Sequence, residues 1–131
     1  MKNMAWSEQQ IQDVWNRAMI EEGYDSSRFR KDACGAWMLR NKYGDTDSIY
    51  GWVIDHIVPQ SLLKEKGFDQ ALIDKPTNLR ALQHENNTSK GDDYPSYTAV
   101  VTSEGTENVK AWKYLEVNEK KQEVLNNLYN L

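Results

Sequence analysis

The spacing of apolar side chains predicts an amphipathic helix near each end of the chain. In the first, apolar residues recur every three or four positions, as on one helix face: Ile11, Val14, Trp15, Ala18 and Met19. Ser7 and Gln10 have the spacing of a capping box, so we predict a helix over residues 8–22. A second stripe consists of Val124, Leu125, Leu128 and Tyr129. Asn118 is a favourable N-cap residue, which predicts a closing helix over residues 119–129.

Strands are predicted between these helices. Residues 51–58 are rich in Trp, Val and Ile and stop at Pro59, which has no amide hydrogen for a strand ladder. A long connection then leads to a second short strand over residues 78–82. The polar stretch from His84 to about Lys90 indicates a short helix directly after this strand.

A hairpin is predicted in the last third of the chain. Residues 97–102 alternate as a strand does, a turn contains Gly105, and residues 109–112 can pair back. Helices and strands together predict an α+β fold. At 131 residues the chain is long enough for one domain with one modest core, so we assign residues 1–131 to a single domain.

Composition narrows the possible functions. The net charge of -4 argues against a protein that coats nucleic acid through bulk charge, although an enzyme with a local basic groove stays compatible. Cys34 is the only cysteine, so an internal disulfide and a Cys-rich zinc site are excluded. We expect Cys34 to be a core residue rather than a nucleophile. A single cysteine fits a reducing compartment, so a cytoplasmic location is expected. No apolar run approaches the ~20 residues that cross a bilayer.

The residue types Asp55, His56 and Asn87 suit metal-assisted hydrolysis of a phosphodiester. Among the side chains, the imidazole of histidine has the ordinary pKa closest to neutrality, so a histidine at position 56 suits a general base. Asp55 and Asn87 offer hard oxygen donors, which favour Mg²⁺ or Mn²⁺ over zinc. Taken alone, however, an Asp-His pair at a strand end is more often structural, and that alternative stays open at this point.

Three blocks of sequence resemble the HNH endonuclease motif of the ββα-metal superfamily, also called the His-Me finger superfamily. The blocks are Asp55-His56-Ile57-Val58-Pro59, Asn78-Leu79-Arg80-Ala81-Leu82 and Glu85-Asn86-Asn87-Thr88-Ser89-Lys90-Gly91-Asp92. They are especially similar to the HNH domain of RNA-guided CRISPR effectors and to small phage and bacterial HNH proteins. The resemblance covers residues 51–95 and implies a core of two antiparallel strands followed by a metal-binding helix.

The resemblance also implies a role for each motif residue. His56 would be the general base that activates water, and Asn78 would tie down the long connection and orient His56. Asp55 and Asn87 would bind Mg²⁺ or Mn²⁺. The implied substrate is DNA, in double-stranded form, cut to leave 5′-phosphate and 3′-hydroxyl ends.

Lys90 and Arg80 are the candidate substrate contacts. Lys90 lies three residues after Asn87 on the same helical face and is either a phosphate contact or a solvated lysine. Arg80 either contacts phosphate or pairs with a carboxylate. His84 is either a substrate contact or a structural histidine at the start of the helix.

The sequence departs from many family members in two ways. It lacks the paired CxxC motifs of a structural zinc site, and Asn87 stands where many relatives have the last His. A binding module without significant cleavage, or a subunit that depends on a partner protein or on a second copy, remains an alternative function.

Overall fold

A computed structural model of the chain describes residues 6–131, which adopt an α+β fold with five α-helices and three two-stranded antiparallel sheets. In chain order the elements are α1 Glu8–Asn16, β1 Phe29–Lys31, β2 Trp37–Leu39, β3 Trp52–His56, α2 Gln60–Glu65, α3 Gln70–Ile73, β4 Leu79–Gln83, α4 His84–Lys90, β5 Ser96–Glu104, β6 Glu107–Glu116 and α5 Glu119–Tyr129. The sheets pair β1 with β2, β3 with β4, and β5 with β6. Within residues 6–131, no helix is long and apolar enough to cross a membrane.

Helix α1 begins as predicted but is shorter than predicted. Ser7 and Gln10 form the capping box with both of its hydrogen bonds. The prediction of helix up to residue 22 is wrong, because tertiary contacts override the apolar pattern after Asn16. The backbone of Met19 forms a bridge with Lys31 at the edge of β1. Arg30 donates hydrogen bonds to the carbonyl oxygens of Asn16 and Ala18, which satisfies acceptors at the helix end.

Strands β3 and β4 separate two apolar clusters. Side chains alternate along a strand, so Trp52 and Ile54 face one way while Val53 and Asp55 face the other. The cluster on the first side packs α1 against the sheet and contains Ile11, Val14, Trp15, Met38, Trp52, Ile54, Leu79 and Ala81. The cluster on the other side includes Leu82 of β4 with Cys34, Ile57, Val58, Leu63, Ile73, Tyr97, Ala99, Val117, Leu125 and Tyr129.

The β3–β4 pair leads directly into α4. Asp55 lies opposite Arg80, and His56 lies opposite Leu79. Both strands differ slightly from their predicted bounds, because Asn78 belongs to a 3-10 turn and the carbonyl oxygen of Asn78 accepts from the amide of Ile57. The side chain of Gln83, the last residue of β4, caps α4 by accepting from two amides of its first turn.

The C-terminal part closes the structure. Strands β5 and β6 extend beyond the predicted ranges 97–102 and 109–112, while α5 occupies the predicted range with Asn118 as its N-cap. Leu125 and Tyr129 of α5 are buried, and the hydroxyl of Tyr129 donates to the carbonyl oxygen of Leu72 at 2.6 Å. This bond fixes α3, and therefore the connection between β3 and β4.

Candidate active site

Asp55 lies at the centre of a buried group of charges between β3, β4 and α4. Its side chain is only 5% exposed. Arg80 Nε donates to Asp55 Oδ2 at 3.0 Å, and Lys90 Nζ lies 3.4 Å from Asp55 Oδ1. Lys90 Nζ also donates to the carbonyl oxygen of His56 at 3.2 Å. We call Asp55, Arg80 and Lys90 the charge cluster.

The charge cluster carries an excess of positive charge, since two cations share one carboxylate. Burial lowers the pKa of Lys90, although the charge of Asp55 opposes this shift. Burial alone would also lower the pKa of Arg80, but the charge and the hydrogen bond of Asp55, with Tyr97 and Cys34, raise that pKa above its ordinary value. Arg80 Nη2 is buried without a hydrogen-bond partner within residues 6–131. A negatively charged group would therefore be attracted here.

Lys90 and Arg80 both differ from ordinary surface cations. The interpretation of Lys90 as a solvated lysine is wrong, because the residue is 1% exposed and its ammonium group contacts Asp55. Arg80 pairs with a carboxylate, as one of its two interpretations expected. The guanidinium carbon of Arg80 also lies 5.1 Å from the centre of the Tyr97 ring. Contact of either cation with substrate stays a prediction.

His56 lies on the opposite face of β3 from Asp55. Its side chain is 11% exposed, and its ring centre is 5.6 Å from that of Trp6. His56 Nε2 lies 2.7 Å from Oδ1 of Asp74, the residue that ends α3. The other ring nitrogen, Nδ1, makes no hydrogen bond to any described residue. Asp74 therefore holds Nε2 of the imidazole, while Nδ1 has no hydrogen-bond partner among the described residues.

Asn78 joins the two ends of the long connection. It is fully buried, and its Oδ1 accepts from the amide of Val58 at 2.8 Å. Its Nδ2 donates to the carbonyl oxygens of Val58 at 3.2 Å and Ile73 at 3.1 Å. Val58 follows His56 by two residues, and Ile73 precedes Asp74. Asn78 therefore fixes the backbone beside both members of the His56–Asp74 pair.

The two neighbouring asparagines of α4 have different environments. Asn86 is fully buried; its Oδ1 accepts from the amides of Val100 and Val101, and its Nδ2 donates to Asp32 and to the carbonyl oxygen of Val101. Asn87 is half-buried, and its side chain has no hydrogen-bond partner in the part of the chain that the structure describes. Of the two, Asn87 is the one with a side-chain oxygen available to a ligand.

Asp55 and Asn87 are the oxygen donors that would hold a hard divalent cation here. Both oxygens of Asp55 are paired with cations of the chain, Oδ1 with Lys90 and Oδ2 with Arg80. Asp55 already attracts a cation, because the Lys90 ammonium group lies beside its Oδ1. Asn87 lies one turn before Lys90 on the same helix face and adds an amide oxygen. Residues 6–131 contain no group of three or more His, Cys, Asp or Glu that could hold a metal. Water would complete the coordination shell, as is common for Mg²⁺.

Asp32 is a structural residue that the sequence did not reveal. It is buried, and its Oδ1 accepts from the amides of Cys34 and Ala36. Its Oδ2 accepts from the amide of Gln83 and from Nδ2 of Asn86. Burial raises the pKa of Asp32, and these hydrogen bonds oppose the shift. Asp32, Gln83 and Asn86, which we call the structural cluster, attach the start of α4 to the loop after β1.

Two residues that could have been functional have structural environments. Nε2 of His84 lies 2.8 Å from the carbonyl oxygen of Ser48, as expected of a structural histidine. The thiol of Cys34 is buried, and burial together with the charge of Asp32 raises its pKa to about 12. A thiol with so high a pKa is a poor nucleophile at neutral pH, which supports the interpretation of Cys34 as a core residue.

Comparison with known proteins gives one family for nearly the whole chain. The model of the family described as GmrSD restriction endonucleases, C-terminal domain, matches residues 5–127. No curated protein shows significant similarity to the chain, and no solved structure does so either.

Proposed function

The chain belongs to the family of C-terminal domains of GmrSD restriction endonucleases, and we propose that it is a metal-dependent DNA endonuclease of the HNH type. The assignment to a metal-dependent HNH endonuclease rests on one observation. The antiparallel strands β3 and β4 lead directly into α4, and Asp55 of β3 contacts Lys90 of α4. The order of these elements supports a ββα core, and the contact supports the proposal because it brings the carboxylate of Asp55 to the helix that carries Asn87.

In this proposal each motif residue has one task. Asp55 and Asn87 would hold Mg²⁺ or Mn²⁺, which when bound supplies Lewis-acid stabilisation of negative charge on the phosphate. His56 takes a proton from a water molecule, whose oxygen forms the new bond to phosphorus. The bond from phosphorus to the 3′ oxygen breaks, and that oxygen takes up a proton from solvent. The products carry a 5′-phosphate and a 3′-hydroxyl. Asn78 keeps the backbone beside His56 in place.

The charge cluster suggests how the site attracts its substrate. Lys90 and Arg80 exceed Asp55 by one positive charge, which favours a DNA phosphate at this point of an otherwise acidic chain. Lys90 would have to release Asp55 before it could contact a phosphate. We propose double-stranded DNA as the substrate. The net charge of -4 also favours the alternative that a partner protein or a second copy supplies part of the DNA contact.

Plasmid cleavage tests the proposal. Wild-type protein with Mg²⁺ or Mn²⁺ should nick or cut the plasmid, and EDTA should stop it. His56→Ala should lower the rate by about 10²- to 10⁴-fold, the usual contribution of a general base. Equal cleavage by both proteins would exclude His56 as the base, and cleavage that persists in EDTA would exclude the metal. If the wild-type protein binds DNA but cuts none under any of these conditions, the non-catalytic binding module becomes the better account.

A further inference from the structure

Asp74, a carboxylate outside the motif, holds the imidazole of His56. Its Oδ1 lies 2.7 Å from His56 Nε2, and the two side chains are 28% and 11% exposed. We propose that Asp74 is a positioning residue for His56: it fixes the ring and keeps a proton on Nε2, so that Nδ1 is the atom that accepts the proton from water. This inference rests on the proposed nuclease function, in which His56 is the base.

The assignment of Nδ1 follows from hydrogen-bond chemistry. An ionised carboxylate can only accept hydrogen bonds, so His56 Nε2 must carry the hydrogen that it shares with Asp74. In a neutral imidazole the other nitrogen then has a free lone pair. No residue within the range 6–131 makes a hydrogen bond to Nδ1 of His56. The nitrogen that the structure leaves available is therefore the one able to act as a base.

Asp74 also suits the charge that the reaction creates. When the water proton moves to Nδ1, the oxygen keeps the electron pair and attacks phosphorus, while the ring becomes an imidazolium cation. The Asp74 carboxylate lies within hydrogen-bond distance of that cation and stabilises it. No proton needs to pass to Asp74 in this step.

The backbone around Asp74 is held firmly, as a positioning role requires. Asn78 Nδ2 donates to the carbonyl oxygen of Ile73, the residue before Asp74. The hydroxyl of Tyr129 donates to the carbonyl oxygen of Leu72. Gln70 Nε2 donates to Asp74 Oδ1 at 3.0 Å, which leaves this carboxylate oxygen with two partners. Since Asn78 also binds Val58, one buried side chain sets the spacing between the strand of His56 and the turn of Asp74.

Three variants at position 74 separate position from charge. Asp74→Asn keeps an oxygen that can accept from Nε2 but loses the charge, whereas Asp74→Ala loses both. We expect Asp74→Ala to cut plasmid about 10- to 100-fold more slowly than wild type, as when a partner that orients an imidazole is removed. Asp74→Asn should fall between the two, and Asp74→Glu should recover part of the rate. Glu65→Ala, an exposed carboxylate of the same connection, is the matched control and should leave the rate unchanged.

Nitrogen NMR of the two histidine rings gives a measurement that does not depend on cleavage. In wild type at a pH where the ring is neutral, His56 should carry its hydrogen on Nε2. Asp74→Ala should shift His56 towards a mixture of the two tautomers. His84 is an internal reference, because the carbonyl oxygen of Ser48 also requires a hydrogen on its Nε2 and should keep it in every variant. The signals are assigned from the spectrum of His56→Ala.

The results of these experiments distinguish a failure of the positioning role of Asp74 from a failure of the proposed nuclease function. If Asp74→Ala cuts DNA at the wild-type rate, or if wild-type His56 carries its hydrogen on Nδ1, Asp74 is not a positioning residue. If the wild-type protein cuts no DNA, the proposed function fails and this inference fails with it. Thermal unfolding of each variant identifies any loss of rate that comes from loss of fold, and Asp74→Asn then replaces Asp74→Ala as the deciding variant.

Discussion

Two buried carboxylates, Asp32 and Asp55, are held in different ways against the same helix. Asp32 accepts four hydrogen bonds, all from uncharged N–H groups, and three of these belong to the backbone. Asp55 contacts two cations at the ends of long side chains, Arg80 and Lys90. The hydrogen bonds of Asp32 hold the start of α4, whereas Asp55 contacts Lys90, the last residue of α4.

The difference separates structure from function. Backbone amides cannot move away from Asp32 without unfolding the loop and the helix start that carry them. The ammonium group of Lys90 is held to Asp55 only through a side chain with rotatable bonds, and the proposed metal site requires Lys90 to release Asp55. Two neighbouring residues of α4 differ in the same way. The side chain of Asn86 makes hydrogen bonds inside the structure, and that of Asn87 makes none to the described residues. The structural cluster therefore serves folding, and we propose that the charge cluster serves the chemistry.

Removing Asp55 should have the largest effect. Asp55→Ala should lower cleavage by about 10³-fold or more, because it removes the proposed metal ligand. It should also lower the free energy of unfolding by about 3 kcal/mol, since Arg80 and Lys90 would be left buried without their counter-ion. Adding Lys90→Met should restore part of the stability and none of the cleavage. Urea unfolding and plasmid cleavage measure the two effects, and a recovery of cleavage in the double variant would contradict the role of Asp55.

Removing the charge of Asp32 should lower the stability of the protein but leave cleavage nearly unchanged. Asp32→Asn places an NH₂ group opposite two of the four donors, so two buried N–H groups lose their acceptor. We expect the free energy of unfolding to fall by about 2–4 kcal/mol. Below the unfolding transition the cleavage rate per folded molecule should stay within a few-fold of wild type. A stable Asp32→Asn protein that has lost cleavage would show that Asp32 acts in the chemistry.

The two asparagines of α4 offer a comparison within one helix turn. Asn86→Ala removes the side-chain hydrogen bonds to β5 and Asp32, so stability should fall by about 2–3 kcal/mol. Asn87→Ala breaks none within residues 6–131 and should change stability by less than about 0.5 kcal/mol. Urea unfolding of both variants measures the difference. Equal losses would mean that Asn87 is a structural residue as well.

The smallest effect concerns Cys34, which reports on the structural cluster. With a thiol pKa of about 12, the thiolate fraction at pH 8 is on the order of 10⁻⁴, and the thiol is also buried. Iodoacetamide should therefore modify the native protein far more slowly than the unfolded one, as followed by mass spectrometry. The reaction should be faster in Asp32→Asn, because the loop around Cys34 loses its anchor. Rapid modification of the native wild type would contradict the burial of this loop.

Local sequence signals were sufficient for several elements of the fold. The cap residues Ser7 and Asn118 give the correct starts of α1 and α5, because a capping hydrogen bond depends only on neighbouring residues. The end of α1 was not predictable, since it depends on Arg30, which lies fourteen residues beyond Asn16.

The candidate site residues were selected where they belong to a motif. The resemblance to the HNH motif selected Asp55, His56, Asn78 and Asn87, and their roles stay predictions. Asp74 could not be selected, because its contact with His56 exists only after the connection has folded around Asn78. The burial of Lys90 could not be predicted either, because the short polar helix that ends before Gly91 has the composition of a solvent-exposed helix.

Cleavage as a function of Mn²⁺ concentration tests the central claim most directly. Wild type, Asn87→Ala and His56→Ala are compared on the same plasmid from micromolar to millimolar metal. A lost ligand weakens metal binding, so Asn87→Ala should approach the wild-type rate only at higher Mn²⁺. A lost base cannot be replaced by metal, so His56→Ala should stay slow at every concentration. If Asn87→Ala follows the wild-type curve, or if Mn²⁺ rescues His56→Ala to the same extent as Asn87→Ala, the assignment of ligand and base is wrong.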